Sequence, residues 1–425
     1  MDRTPANRDQ SPLSATQNPG AHAPGMSAVV AALLLFSFAL FQGLGTKNAR
    51  DFFIYRLGAE LAARGENPYD VPKIQQHVAA AYPEDDENTK EFVANSGYFL
   101  PPLAVLVFLP LAAMSTVAAK VGWALVIGVA GFFIARLPGL LRPSESLPLT
   151  TLPRFVVPLL LVLNPLTLAV VFVGQVTLLS VGCIAAGLWC LDRGRPYLTA
   201  ILWVLPFMKP HLALPLIPLM WFLAGWRPTL LLVVLVVGFN LVGATVVGGS
   251  PLFLWDYVEH LSHTHKMVGY NRAELNPSIT SWNRLLFTAG GPLVELTPVT
   301  TVASYLVWLG LAIGRVALSG TRPTVSWAVA VAAVGSVLCS QVLVYELLVL
   351  ALLVPWVRDL FADGWRVRSW LAIGLMSVQL IPQNAMTKMG FSFPPSLGVA
   401  LLAVLVLVGP SGNGRLQRAG SVSDG

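Results

Sequence analysis

The sequence predicts an all-α integral membrane protein, a polytopic helical bundle of about 11–13 transmembrane helices with juxtamembrane helices in its first outer loop. Three observations predict it. Of 425 residues, 55% are hydrophobic and 11% charged, against roughly a quarter charged in soluble proteins. Apolar runs long enough for helices recur from residue 27 to residue 409. Lys and Arg fall in short loops beside those runs, as membrane orientation requires, so the net charge of +6 carries no nucleic-acid reading.

Residues 1–25 are Pro, Ala, Asn, Ser and Gly without hydrophobic period and read as a disordered cytoplasmic tail, as do residues 411–425. Residues 26–410 read as a single transmembrane domain. Its first run, 27–45, is long for a cleaved signal and lacks a small-x-small site, so it reads as an uncleaved helix. The candidate spans are 27–45, 100–116, 118–136, 153–173, 176–191, 197–208, 211–224, 227–248, 299–318, 325–340, 342–358, 368–382 and 395–409. Pro158, Pro165, Pro206, Pro210, Pro215 and Pro218 break several of them, and such breaks survive in lipid where they line a cavity. Cys183, Cys190 and Cys339 lie inside apolar runs and read as small core residues.

Arg193/Arg195, Arg227, Arg315/Arg322, Arg358/Arg366/Arg368 and Arg415/Arg418 alternate as cytoplasmic when spans are counted from 176 onward. The outer side then receives 46–99, Gly174–Gln175, Lys209-Pro210-His211, 249–298, Ser340–Glu346 and Gln383–Lys388. Three spans between 100 and 173 break this parity. Either 153–173 is a re-entrant pair of half-helices about Asn164-Pro165, or 100–136 is divided once too often.

The first outer loop, 46–99, holds nine of the 21 acids. It reads as helices 50–64 and 71–82, with Gly65 ending the first and Asp70 capping the second. Phe53, Leu57 and Leu61 recur at helical spacing, which predicts that the first lies along the membrane interface. The second long loop, 249–298, contains "SPLFLWDYVEHLSHTHKM", another interfacial helix with an aromatic face.

Asp51 sits directly after the first span. As a bland residue it offsets the helix dipole; as a functional one it is a membrane-edge carboxylate facing a cavity. Its setting is "NARDFFIYRLGAELAARGENPYD", residues 48–70, with Leu100-Pro101-Pro102 beginning the next run. This layout resembles the GT-C superfamily of glycosyltransferases and, more narrowly, glycosyltransferase family 87. The residues that carry the resemblance are Asp51 to Tyr55 with Gly58-Ala59, Gly65 to Asp70 and Pro101-Pro102-Leu103. Further along they are Asn164-Pro165 with Gly174-Gln175, Lys209-Pro210, Asn276 with Ser278, and Tyr345-Glu346. Thr177, Leu100 and Ser340-Gln341 depart from the family pattern.

The resemblance implies a membrane hexosyltransferase that takes a sugar, mannose in the narrower family, from polyprenyl phosphate. The acceptor would be a lipid or glycan on the extracytoplasmic face of the cell membrane, and Asp51 the catalytic base. The chemistry asks for the same residue types: one carboxylate suffices for inversion, whereas retention by a covalent intermediate requires a second. Cations must also stabilise the departing phosphate. Lys209, His211, Arg272 and Lys388 are the candidates for that phosphate, and Tyr55, Gln175, Asn276, Tyr345 and Glu346 for substrate contacts.

Arg56 reads as a solvated or headgroup-facing base. His260, His263 and His265 with Asp256 and Glu259 lack a metal-binding pattern and read as polar interfacial residues, so neither metal nor cofactor is expected. A transporter or lipid flippase is the rival class, but it predicts a hydropathy repeat between the halves, and none is present.

Overall fold

The computed structural model describes residues 25–45, 49–81, 98–141, 156–267, 276, 279–294, 297–320, 323–379, 381 and 395–409. These are helical apart from turns, loops and one isolated antiparallel bridge between Thr280 and Val342. Among the described residues, five helices are long and apolar enough to cross a bilayer: Met26–Leu44, Thr116–Gly139, Val156–Val173, Trp226–Gly248 and Pro298–Ser319. Shorter apolar helices surround or continue them, among them Pro102–Ala112, Thr177–Leu191, Val325–Leu338 and Pro395–Val408. The protein is an all-α polytopic membrane protein, as its composition predicts.

The helix Thr177–Leu191 is the axis of the bundle, and all but one of its residues are buried. It approaches Thr116–Ala135 through small residues: a Cβ on Gly182 would stand 2.5 Å from the Ala130 Cβ. In lipid, where apolar side chains gain nothing by leaving the solvent, such close backbone approach supplies the dispersion contact that holds helices together. The helix also takes polar bonds from its neighbour Pro196–Leu202. Thr199 Oγ1 donates to the Gly187 carbonyl at 2.9 Å, and Trp203 Nε1 to the Ile184 carbonyl at 3.2 Å. The three cysteines are free and buried.

Packing fixes which helix ends lie together. Gly43 lies against Lys120, Gly128 against Phe36 and Gly131 against Leu35, so Met26–Gly45 and Thr116–Ala135 run antiparallel. Thr116 therefore lies at the end of the bundle where the first helix finishes and Asp51 begins. The helix Pro102–Ala112 also stays at that end. Leu103 N donates to Asn240 Oδ1 at 3.4 Å, late in Trp226–Gly248, and Arg56 reaches the Met114 carbonyl at 3.0 Å. Its 11 residues rise only about 16 Å, roughly half a bilayer. The expected span 100–116 is thus no crossing, and removing it restores the parity that the sequence left unresolved.

Asn164 does break the next span, as expected. Its amide caps the second half, accepting from Thr167 N at 2.9 Å and donating to the Leu161 carbonyl at 2.8 Å. The broken helix packs against Thr116–Ala135 at Val162 beside Gly131 and ends at the Asp51 end, where Ala49 N meets the Phe172 carbonyl.

The two helices expected in the first long loop are Arg50–Ala63 and Val71–Ala81. The first does not lie along the interface. Phe53, Leu57 and Leu61 are all buried, and every residue from Asp51 to Ala59 is enclosed by protein. Phe52 and Tyr55 pack on Phe108, and Phe52 stacks on Trp123. The second long loop opens with Phe253–Met267, whose Phe253 and Tyr257 face Tyr69 while Leu252 and Trp255 are exposed on the other side. The expected tails lie outside the described residues, Gly25 excepted.

Gly182→Val places two methyls where Ala130 already stands. We expect it to cost about 1–3 kcal/mol through overpacking and to lower the thermal unfolding temperature in detergent, whereas Gly238→Ala, with open space around its Cβ position, leaves it unchanged.

Candidate active site

The site is assembled where the chain leaves the first span. Ala49 takes a left-handed conformation at φ 69°, and its N–H donates to the Phe172 carbonyl at 2.9 Å. The turn that receives it is Gly174–Gln175, at the end of Pro165–Val173. Gly174 has φ +82°, and a Cβ there would stand 2.9 Å from the Phe52 Cβ and 3.1 Å from the Ala49 Cα. Only glycine combines that dihedral with that proximity. The turn braces the N-terminus of Arg50–Ala63, so Asp51 in its first turn is held by backbone rather than by its own side chain.

Asp51 is 8% exposed. Among the described residues no hydrogen bond or ion pair engages its carboxylate. Burial pushes its pKa from the usual carboxylate range up to about 7, against the opposing pull of the Lys209 and Arg50 cations. One turn later, the Tyr55 hydroxyl donates to Gln175 Oε1 at 3.0 Å. The expected substrate residues Tyr55 and Gln175 therefore meet each other beside Asp51.

Facing them is the break between the 3-10 turn Leu205–Met208 and the short helix Pro210–Ala213. Lys209 extends from it, its Nζ 2.6 Å from Glu346 Oε1 and 4.9 Å from the centre of the Tyr345 ring. His211 Nε2 lies 3.1 Å from the same oxygen. The second oxygen, Glu346 Oε2, accepts the Leu343 N–H at 2.8 Å. Expected from the sequence as phosphate and substrate contacts, these four side chains form one cluster, with Glu346 as common acceptor. Tyr305, which sequence reasoning did not single out, donates its hydroxyl to the His211 carbonyl and fixes the break from a third helix.

The Asn276 turn reaches the same cluster by its backbone. Its carbonyl accepts from Ile279 N at 3.2 Å, and Thr280 and Val342 exchange N–H···O bonds of 2.8 and 3.1 Å just ahead of Leu343. Arg272 and Lys388 lie outside the described residues.

Two expectations are corrected. Arg56 is neither solvated nor turned to headgroups: it is buried, donating to Thr116 Oγ1 at 2.9 Å and the Met114 carbonyl at 3.0 Å and pairing with Glu60 at 3.0 Å. A long side chain on a short helix can satisfy the carbonyls of a neighbouring turn, here the one between Pro102–Ala112 and Thr116–Ala135. His260 is no free polar interfacial group either. Its ring stands edge-on to Tyr69 with centroids 5.4 Å apart. The Tyr69 hydroxyl donates to the Leu100 carbonyl at 2.7 Å, and Tyr257 to that of Phe99 at 3.3 Å. Tyr98, over Gly58, completes this aromatic cluster, which ties both outer loops to the carboxylate helix. The side chains of His263 and His265 are not among those described.

The sequence model described as glycosyltransferase family 87 matches residues 98–344, more than half of the chain. The chain belongs to glycosyltransferase family 87. The matched segment contains Gln175, Lys209, His211 and Asn276, and ends two residues before Glu346. No curated protein and no solved structure matches the chain.

Gly174→Ala is the sharpest test of the brace. The left-handed dihedral alone costs an alanine about 1–2 kcal/mol. With the contact on Phe52 added, we expect a lower unfolding temperature together with a loss of transferase activity, whereas Gly225→Ala, with the same sign of φ but open space, is expected to lower stability without comparable loss of activity.

Proposed function

We propose that this membrane glycosyltransferase transfers a hexose, mannose on the resemblance noted above, from a polyprenyl phosphate to a lipid or glycan acceptor on the extracytoplasmic face. The observation that carries the reading is the Asp51 carboxylate: buried, without a protein partner among the described residues, and set opposite Lys209 and His211. A carboxylate in that state is available to a substrate proton, and a cation across from it is available to an anionic leaving group.

The acceptor hydroxyl attacks the anomeric carbon while Asp51 takes its proton. The bond between that carbon and the phosphate oxygen breaks, and polyprenyl phosphate leaves with the electron pair. Lys209 and His211, with Arg272 and Lys388 as further candidates, stabilise the phosphate as its charge grows. Tyr55, Gln175, Asn276 and Tyr345 are the proposed sugar and acceptor contacts. Glu346, the nearest other carboxylate named in the site, has both oxygens engaged by protein groups, which supports single displacement with inversion over a double displacement. The polyprenyl chain would approach laterally from the bilayer, which explains a base at the membrane edge.

Sidedness is supported by the charge distribution. Arg136, Arg193, Arg195, Arg227, Arg358, Arg366 and Arg368 lie on the turns and adjoining helix segments at the end of the bundle opposite Asp51. By the positive-inside rule this distribution supports a cytoplasmic position for that end and an extracytoplasmic one for the Asp51 end of a cell-membrane protein.

Purified full-length protein given radiolabelled polyprenyl-phosphate mannose and lipid acceptors is expected to transfer the label, and Asp51→Asn to lose about 10²–10⁴-fold in rate. Because the base must be ionised, kcat/KM should fall as pH drops below about 7, the pKa of Asp51, and level off above it. Movement of the donor across the bilayer without sugar transfer would instead favour a flippase, and full activity in Asp51→Asn would remove the base assignment.

A further inference from the structure

We propose that Glu346 is a positioning residue whose role is to hold the Lys209 ammonium away from Asp51, so that the base stays free and the cation stays aimed at the donor phosphate. The inference rests on the assignment of Asp51 as the base.

Among the described residues, Lys209 lies between two carboxylates, Glu346 and Asp51. Lys209 does not divide itself: its Nζ is 2.6 Å from Glu346 Oε1, while Asp51 has no hydrogen-bond or ion-pair partner among the described residues. Glu346 wins because it is fixed first. Leu343 N holds one of its oxygens at 2.8 Å, His211 Nε2 approaches the other at 3.1 Å, and the Thr280–Val342 bridge anchors the backbone just ahead. The lysine's own backbone is fixed by Tyr305 two residues on.

Among the described residues, the charged and titratable groups that act on Asp51 are these. Arg50 belongs to its own helix, Lys209 comes from the opposing break, and the phenol of Tyr55 lies one turn away. Tyr345, Tyr98 and Glu346 face Tyr55 from the other elements. With Glu346 neutralised, Asp51 is the carboxylate that Lys209 still acts on among the described residues. The ammonium would then pair with it, and an ion-paired carboxylate is a weaker base with a lower pKa. A phosphate arriving at the site would also have to compete with that new pair.

The test compares wild type, Glu346→Gln, Glu346→Asp and the double variant Lys209→Met/Glu346→Gln, all full-length in lipid nanodiscs and checked for a monodisperse, cooperatively unfolding state. Two readouts are taken. One is the acidic limb of kcat/KM with polyprenyl-phosphate mannose. The other needs no donor: the titration of the protonated-carboxyl infrared band that Asp51→Asn removes. In Glu346→Gln both midpoints are expected to fall by about one pH unit or more, the size of effect that an ammonium within contact range exerts on a carboxylate. The rate at high pH should drop at least tenfold. Glu346→Asp, which keeps the charge but lengthens the reach to Lys209, should leave the midpoints between those of wild type and Glu346→Gln, and removing Lys209 as well should abolish the downward shift.

Midpoints that stay unchanged in Glu346→Gln would overturn the proposal, as would a shift that persists without Lys209. Should Glu346→Gln fail to fold, Glu346→Asp decides alone: the longer reach to Lys209 must move the midpoint downward by a smaller amount, and no movement overturns it. Failure of the base assignment is distinguishable, since it would show as transferase activity surviving in Asp51→Asn while the infrared shift still occurs.

Discussion

A charge inside a lipid-embedded bundle must find its partner within the protein, and the Lys209–Glu346 contact of 2.6 Å is where this chain meets that demand at the site. Three separate stretches of sequence must converge for it to exist. The Pro-flanked break supplies the cation, the segment after Val342 supplies the anion, and Thr280 from the long second loop pins the backbone ahead of the anion. Remove the contact and the buried ammonium must turn to the other carboxylate of the site, while the break at Lys209 loses one of its anchors and keeps the Tyr305 bond. The irregular backbone of this region is therefore a consequence of the ion pair as much as its support.

Asp51 obeys the opposite logic. Its helix could have tied the carboxylate down with a neighbouring donor, and the means were near, since Arg50 precedes it and Arg56 follows one turn and a residue later. Arg56 instead spends its donors on Met114, Thr116 and Glu60. The helix is held by the Gly174 brace, by aromatic packing on Phe108 and Trp123, and by Tyr98 over Gly58. Each of these restrains backbone or ring, and none consumes the carboxylate. A side chain fixed in place yet left without a partner carries a standing desolvation cost, which is what raises its pKa to about 7. Structures retain such a cost where a ligand will offset it.

Much of this was legible in the sequence. Apolar runs gave the class, the basic turns gave the grouping of ends, and the Pro and Gly positions marked Asn164, Gly174 and Lys209 as breaks on the right elements. Asp51, Tyr55, Gln175, Lys209, His211 and Glu346 were all singled out before any of their neighbours were known. What hydropathy could not convey was direction. Residues 102–112 are as apolar as a span, but both their ends lie at the Asp51 end, and only the long-range contacts to Asn240 and Arg56 reveal it. Pairing was equally hidden. Tyr69, Tyr98 and Tyr257 come together from positions up to 188 residues apart, and no local pattern announces that an "ENPYD" turn will stack on a helix of the second loop.

The two ends of the bundle are built on different principles, and the difference bears on catalysis. At the end opposite Asp51, arginines close the structure by binding main-chain carbonyls. Arg358 reaches those of Pro138, Leu140 and Leu141, Arg315 those of Leu407 and Gly409, and Arg368 that of Val408. A guanidinium that satisfies several orphan carbonyls at helix ends locks those ends together. At the Asp51 end the connections are long, and they are joined by aromatic stacking and by side chains that also touch the site. Stacked rings shear more easily than multidentate hydrogen bonds break. A glycosyltransferase that admits a sugar donor and an acceptor requires one end that can rearrange while the framework beneath it keeps Asp51 and Lys209 in register, and the division of bonding between the two ends meets that requirement.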